Sequence, residues 1–227
     1  MMGSPDSEPD REDDETRHLV KITRSFYLGV YEITQQQFDN VMENRPWQGK
    51  DNVQEGADYL ASYVNWVDAA EFCRKLSMLE GVEYRLPTEA QWEYACRGGT
   101  KTVYNCGDDA SALGRYVWFG HTSSDIGENY PHRVGQTLPN PWGLYDMHGN
   151  LREWCQDWLA PFDGNKPVTN SKGPAKAPAK DKYRLLRGGA FYSLAKDVRS
   201  ADRYGYTTTI RFNSGGFRVA RRYNAAP

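Results

Sequence analysis

The chain has 227 residues, a length that suits one domain able to bury a full core without disulfide staples. Its formal net charge is −2, so the overall balance points to neither nucleic acid nor a membrane surface as partner. No run approaches the roughly eighteen apolar residues of a membrane span, and the acidic start is unlike a secretory signal peptide.

Charge is uneven along the chain. Residues 6–15 (DSEPDREDDE) are acidic and the C-terminal stretch is rich in arginine. The expectation is that these arginines pair with carboxylates inside the domain rather than form a phosphate-binding patch. Seven Trp and fifteen Tyr predict a core of large rings with polar handles. The four cysteines, Cys73, Cys96, Cys106 and Cys155, have no CxxC spacing, which argues against zinc. Cys73 and Cys96 lie in helix-like runs and read as buried free thiols.

In chain order, residues 1–18 read as a turn-rich acidic lobe on the surface, broken by Pro5 and Pro9. Residues 19–34 (LVKITRSFYLGVYEIT) alternate and are β-branched, predicting two strands. A capping-box spacing at Thr34–Gln37 starts a first helix with Phe38, Val41 and Met42 on its apolar stripe. Residues 44–62 read as an irregular loop. A second helix runs from about Val67 to Leu79, with Ala69, Ala70, Phe72, Cys73, Leu76 and Leu79 at helical spacing and Gly81 as its stop. The Thr88–Gln91 spacing is a second capping box, opening a helix with Trp92, Ala95 and Cys96 on one face. Beyond Gly99 the pattern gives short strands and long loops. Residues 164–182 (GNKPVTNSKGPAKAPAKDK) read as a mobile exposed loop. Helices first and strands later predict an α+β fold, one domain over residues 1–227.

The stretch from Arg184 to Arg222 is framed by two strand signals. RLL runs into Gly188-Gly189, a bulge or close approach, and FRVA (Phe217–Ala220) alternates like a half-buried strand. Between them Phe191, Tyr192, Leu194, Tyr204, Tyr206, Ile210 and Phe212 follow no period. Aromatics scattered through a Gly/Ser/Thr-rich loop suit a contact surface, and residue type alone leaves inward packing equally open.

Three blocks, RLPTEAQWEYACRGG (85–99), NPWGLYDMHGNLREWCQDW (140–158) and RLLRGGAF…GGFRVA, together resemble the formylglycine-generating-enzyme (sulfatase-modifying factor) domain. The resemblance extends from Met1 to Arg222 and implies a C-type-lectin-type fold, poor in regular secondary structure and rich in ordered loops. Enzymes of this family hold copper with a cysteine pair just after the GG turn. Here that segment reads Ala190 to Val198 without cysteine, and none follows Cys155, so neither copper nor this oxidation is expected. Non-haem iron, used in a related branch, would need clustered ligands. His18, His121, His132 and His148 are scattered, and His148 reads as a hydrogen-bonded loop side chain.

The resemblance also implies a structural Ca²⁺ at Asp146, Gly149, Leu151 and Glu153, through side-chain oxygens of the acids and backbone carbonyls of the other two. A tight turn whose acids pair with arginine is the open alternative. A further branch of the fold contains the variable proteins of diversity-generating retroelements, in which adenines of C-terminal codons are rewritten. Rewriting asparagine codons cannot give Lys, Gln, Glu, Met or Trp, and from Phe191 to Gly216 only Lys196 falls outside what it can give. The branch therefore implies a variable region at about 190–216. Its ligand-binding residues would be Phe191, Tyr192, Ser193, Leu194, Asp197, Tyr204, Tyr206, Ile210, Phe212, Asn213, Ser214 and Gly215. The implied ligand is a macromolecule, expected to be protein, and the implied setting a phage tail or cell surface, without nucleic acid or membrane insertion. A drifted non-catalytic interaction module, or an enzyme of the fold, are the alternatives.

Overall fold

Three capping boxes set the helices. Thr34, Asn65 and Thr88 each accept from the backbone N–H three residues on, and Gln37, Asp68 and Gln91 return the bond. The helices are α1 (Gln35–Met42), α2 (Trp66–Glu80) and α3 (Glu89–Arg97). Gly81 and Gly98 end α2 and α3 in the left-handed conformation. In this computed structural model, residues 1–162, 164, 166–180 and 182–223 are described. Among them are nine short strands: β1 (Val20–Lys21), β2 (Phe26–Leu28), β3 (Tyr84–Arg85), β4 (Arg152–Trp158), β5 (Val168–Thr169), β6 (Tyr183–Arg187), β7 (Tyr204–Thr207), β8 (Gly215–Gly216) and β9 (Ala220–Arg222).

The principal sheet has the order β7-β6-β4-β8, with β8 parallel to β4 and the other pairs antiparallel. Its two long strands alternate between two cores. Trp154 and Leu186 join Phe38, Phe72 and Phe217 beneath α1 and α2. Their neighbours Cys155 and Leu185 join Trp92, Ala95 and Cys96 of α3. The period of two along a strand thus places helices on both faces of the sheet. A second sheet, β2-β9-β3, and the pair β1-β5 complete the α+β architecture, with ordered loops between.

Several expectations change. Residues 1–18 are no detached surface lobe. Met2, Ser4, Glu8, Glu15 and His18 are buried, and the segment is drawn in by arginines of the C-terminal stretch. The FRVA strand starts late, at Ala220, because Arg218 is buried in an ion cluster beside Phe217 instead of alternating outward. Leu79 is exposed, since the apolar stripe of α2 ends a turn earlier. Within the stretch read as a mobile loop, Val168 pairs with Val20 and Asn170 donates to Thr23, which anchors its middle. His148 is fully buried, with Nδ1 at 2.7 Å from the Val198 carbonyl and Nε2 accepting the Asn105 N–H at 3.0 Å. Burial pushes this imidazole down to about 4 and keeps it neutral.

Candidate ligand-binding surface

The Arg-rich stretch is the organising device of the site. Arg187, at the end of β6, pairs with Glu93 and donates to the carbonyls of Ser200, Ala201 and Asp202. Arg199 forks onto Glu15 at 2.6 and 2.8 Å and reaches Glu8 at 2.9 Å. Arg203 forks onto Glu89 at 2.6 and 3.0 Å and also meets Asp14. All three guanidinium groups are buried, and the paired geometry offsets their desolvation. Residues 198–203 are consequently buried throughout. The expected variable region is therefore two surface arcs, 191–197 and 204–213, separated by a buried anchor.

The backbone of each arc is held from outside. In the first, Phe191 N–H donates to Asn150, Gly120 N–H to Ser193 and the Tyr104 hydroxyl to Ala195. In the second, the N–H groups of Tyr63 and Val67 donate to the carbonyls of Phe212 and Thr208, and the Asn65 amide donates to Thr209. Arg211 pairs with Asp68 at the start of α2. Apart from the Arg211 pair, these bonds depend little on which side chains the arcs carry.

The twelve residues expected to bind ligand separate by burial. Tyr192 (45% exposed), Leu194 (62%), Tyr204 (38%) and Ile210 (38%) lie on the surface. Asp197, Tyr206, Phe212 and Asn213 are half-buried. Phe191, Ser193, Ser214 and Gly215 are buried, and the reading of them as exposed contacts is corrected. Phe191 is held inward by its bond to Asn150, and the Ser193 hydroxyl accepts the Ala190 N–H at 3.0 Å. Gly215 lies against the Phe212 ring, which a Cβ would meet at 2.7 Å. The Tyr192 hydroxyl meets that of Ser214 at 2.8 Å, closing one arc against the end of the other.

The exposed rings share a floor. Tyr204 and Tyr206 stand edge to face at 5.1 Å, and Tyr206 and Phe212 pack at the same separation onto the main core. Arg152 lies beneath, its guanidinium 4.2 Å from the centre of the Tyr204 ring and 3.4 Å from the Ser193 hydroxyl. Its Nη1 makes no hydrogen bond, and Asp202 is 3.9 Å away. Sequence reasoning missed Arg152 as part of this surface, because it lies some forty residues upstream and only the β4–β6–β7 order brings it under Tyr204.

The turn expected to hold Ca²⁺ gives a mixed picture, with a free oxygen on Asp146 and an arginine pair on Glu153. Asp146 and Glu153 are buried, and Asp146 Oδ2 has no hydrogen-bond partner. Burial pushes the Asp146 carboxyl up to about 6. Glu153 accepts a fork from Arg218 at 2.7 and 2.8 Å and the Trp92 indole at 2.9 Å. Glu32, which the sequence did not single out, is also buried, 3.6 Å from Arg218, with both oxygens lacking hydrogen bonds. Burial, then the charge of Asp146, pushes its carboxyl well up. Glu153 is thus matched by Arg218, while Asp146 and Glu32 are buried without a matching cation and hold their protons more readily than usual. Gly149 has its own steric reason, since a Cβ would come within 2.2 Å of the Trp118 carbonyl oxygen. Among the described residues no three acidic, His or Cys side chains converge as a metal cluster, so backbone carbonyls would have to complete the shell.

Residues 1–223 match the family described as sulfatase-modifying factor enzyme 1-like domain. Among curated relatives, the serine/threonine-protein kinase pkn1 of Chlamydia pneumoniae is 31% identical over 225 residues, covering 89% of this chain and 34% of that protein. The formylglycine-generating enzyme of Streptomyces coelicolor is 31% identical over 188 residues, covering 78% and 57%. The chain thus spans less than two thirds of either relative. Among solved structures, Treponema denticola variable protein 1 superposes with a TM-score of 0.85 at 27% identity, covering 98% of this chain and 91% of that one. PvdO from Pseudomonas aeruginosa superposes with a TM-score of 0.80 at 28% identity, covering 98% and 90%. On sequence and fold alike, the chain belongs to the sulfatase-modifying factor enzyme 1-like domain family.

Proposed function

We propose that this domain is a non-catalytic binder whose two C-terminal arcs form a diversified contact surface for a macromolecular ligand, most simply a folded protein. The observation that carries the reading is the division of labour in the arcs. Their backbones are fixed by groups outside them, while Tyr192, Leu194, Tyr204 and Ile210 stand exposed. A surface built this way changes side chains without disturbing the core. Tyrosines give large contact area at low entropy cost, and the likeness to a variable protein supports the same reading. The absence of cysteine after Cys155 supports a role without copper chemistry.

The test replaces Tyr192, Leu194, Tyr204 and Ile210 together with Asn. The variant should stay folded and soluble, each change costing about 1 kcal/mol or less. A yeast-displayed library randomised at these four positions should yield binders to a chosen folded protein such as lysozyme. Collapse of the four-Asn variant, or a library that is mostly unfolded, would sink the proposal. In a second arm, the protein is incubated with copper, oxygen and a sulfatase-type Cys peptide. Aldehyde formation by mass spectrometry would overturn the non-catalytic reading.

We also propose one structural Ca²⁺, held by Asp146, Glu153 and the carbonyls of Gly149 and Leu151. A ligand bound only by the folded state stabilises it by about 2.7 kcal/mol at a hundredfold excess over Kd. EDTA should therefore lower the melting temperature and added Ca²⁺ restore it. A melting temperature indifferent to both would remove the ion.

A further inference from the structure

We propose that the cleft between β2, β3 and residues 170–172 binds an anionic sugar, one bearing a sulfate or phosphate group. The cleft is a cavity of about 340 Å³ on which Arg24, Arg85, Lys172 and Arg222 converge, with Glu83 as the one carboxylate in its lining. Among the described residues, no carboxylate lies within 4 Å of any of the four cations. This sets the cleft apart from the rest of the molecule, where the arginines of the C-terminal stretch are matched to acids. Arg85 is held in place by donating to the Leu86 carbonyl at 2.9 Å and the Gln91 side chain at 2.8 Å, neither of which cancels its charge. Part-burial of Arg85 lowers its pKa, an effect that the nearby charges of Glu83 and Asp157 offset only in part. A sulfate or phosphate ester oxyanion would supply negative charge there and accept the guanidinium donors in parallel.

The ring that carries the anion has a place beside it. A second cavity, of about 510 Å³, shares Ile22, Arg24, Ser25 and Phe26 with the first and is lined by Tyr94 and Trp142. Both rings are about half exposed and stand edge to face at 4.8 Å. Edge-to-face rings offer one open face rather than a slot, which suits the C–H face of a sugar better than a sandwiched nucleobase. The hydroxyls and amides of Ser25, Thr88, Gln91 and Gln156 in the first cavity match sugar hydroxyls. This site is separate from the two arcs and does not depend on what they bind.

The test is calorimetric titration of the intact chain with a heparin-derived sulfated disaccharide. The expected result is saturable binding that weakens at least tenfold for the desulfated disaccharide and at high salt. Arg24→Glu with Arg222→Glu should abolish it, and Trp142→Ala should weaken the disaccharide severalfold while leaving inorganic sulfate unchanged. Melting curves of each variant separate lost binding from lost fold, and the four-Asn arc variant should bind as the parent does. The proposal is overturned by no saturable binding, by affinity equal to that of inorganic sulfate, by tighter binding of a mononucleotide, or by a folded double variant that still binds.

Discussion

Phe191 and Tyr192 are adjacent aromatic residues with opposite fates. The first is 1% exposed and the second 45%. Backbone position decides this rather than residue type. Gly188 and Gly189 adopt positive φ after β6, and a Cβ on Gly189 would meet Val198 at 2.5 Å. The tight approach turns Phe191 inward and leaves the next side chain on the surface. Phe191→Ala should therefore cost about 3–5 kcal/mol, a core value. Tyr192→Ala loses the bond to Ser214 and an edge-to-face contact with Phe191 and should cost about 1 kcal/mol. Chemical denaturation of the two variants checks the contrast, and equal costs would contradict the assignment of Tyr192 to the surface.

At the scale of elements, the anchor 198–203 separates the two proposed contact arcs from each other and ties them to the framework. It runs between the arcs as Val198, Arg199, Ser200, Ala201, Asp202 and Arg203, all buried. Its grip on the N-terminal segment comes from Arg199, which faces Glu8 and Glu15. Removing one member of a buried pair leaves uncompensated charge, which typically costs about 3–5 kcal/mol. Arg199→Met should lower stability by that order and expose residues 1–18 to proteolysis. Lys196→Ala, an exposed position only three residues away, should change neither. A stable, protease-resistant Arg199→Met protein would show that the segment is held by something else.

Taken as a whole, the molecule carries several buried carboxylates outside the forks. Burial pushes Asp157 and Asp202 each up to about 7, with the nearby charge of Glu89 adding to the rise of Asp157. A raised carboxylate holds its proton in the folded state after the unfolded chain has released it. Stability should then fall as pH rises from about 4 to about 7, by on the order of a few kcal/mol in all. Glu93, where Arg97 and Arg187 outweigh burial, is held below its ordinary value and acts in the opposite sense, at lower pH. Melting curves across this range should show the decline, and Asp157→Asn and Asp202→Asn should flatten it. A profile that rises steadily from pH 4 to 7 in the parent would contradict this account.

The helices and the family were legible in the chain itself. Capping boxes at Thr34 and Thr88 are local, since each needs only two side chains three residues apart, and the structure places both. The box at Asn65 obeys the same rule with Asp68 in place of Gln, which is why the second helix opens a residue earlier than periodicity suggests. The three glycine-rich and aromatic blocks likewise carried the fold. Composition also indicated that arginines would find acids, but not which ones. Glu8 and Glu15 each lie more than 180 residues from Arg199, and no local signal links them to it. The extent of the contact surface was not legible either. Val, Arg, Ser, Ala and Asp are all permitted by codon rewriting, so the anchor reads in sequence like the arcs on either side. Only the packing of residues 198–203 against Arg187 and the N-terminal acids divides them, because burial is set by what the rest of the chain brings to a position.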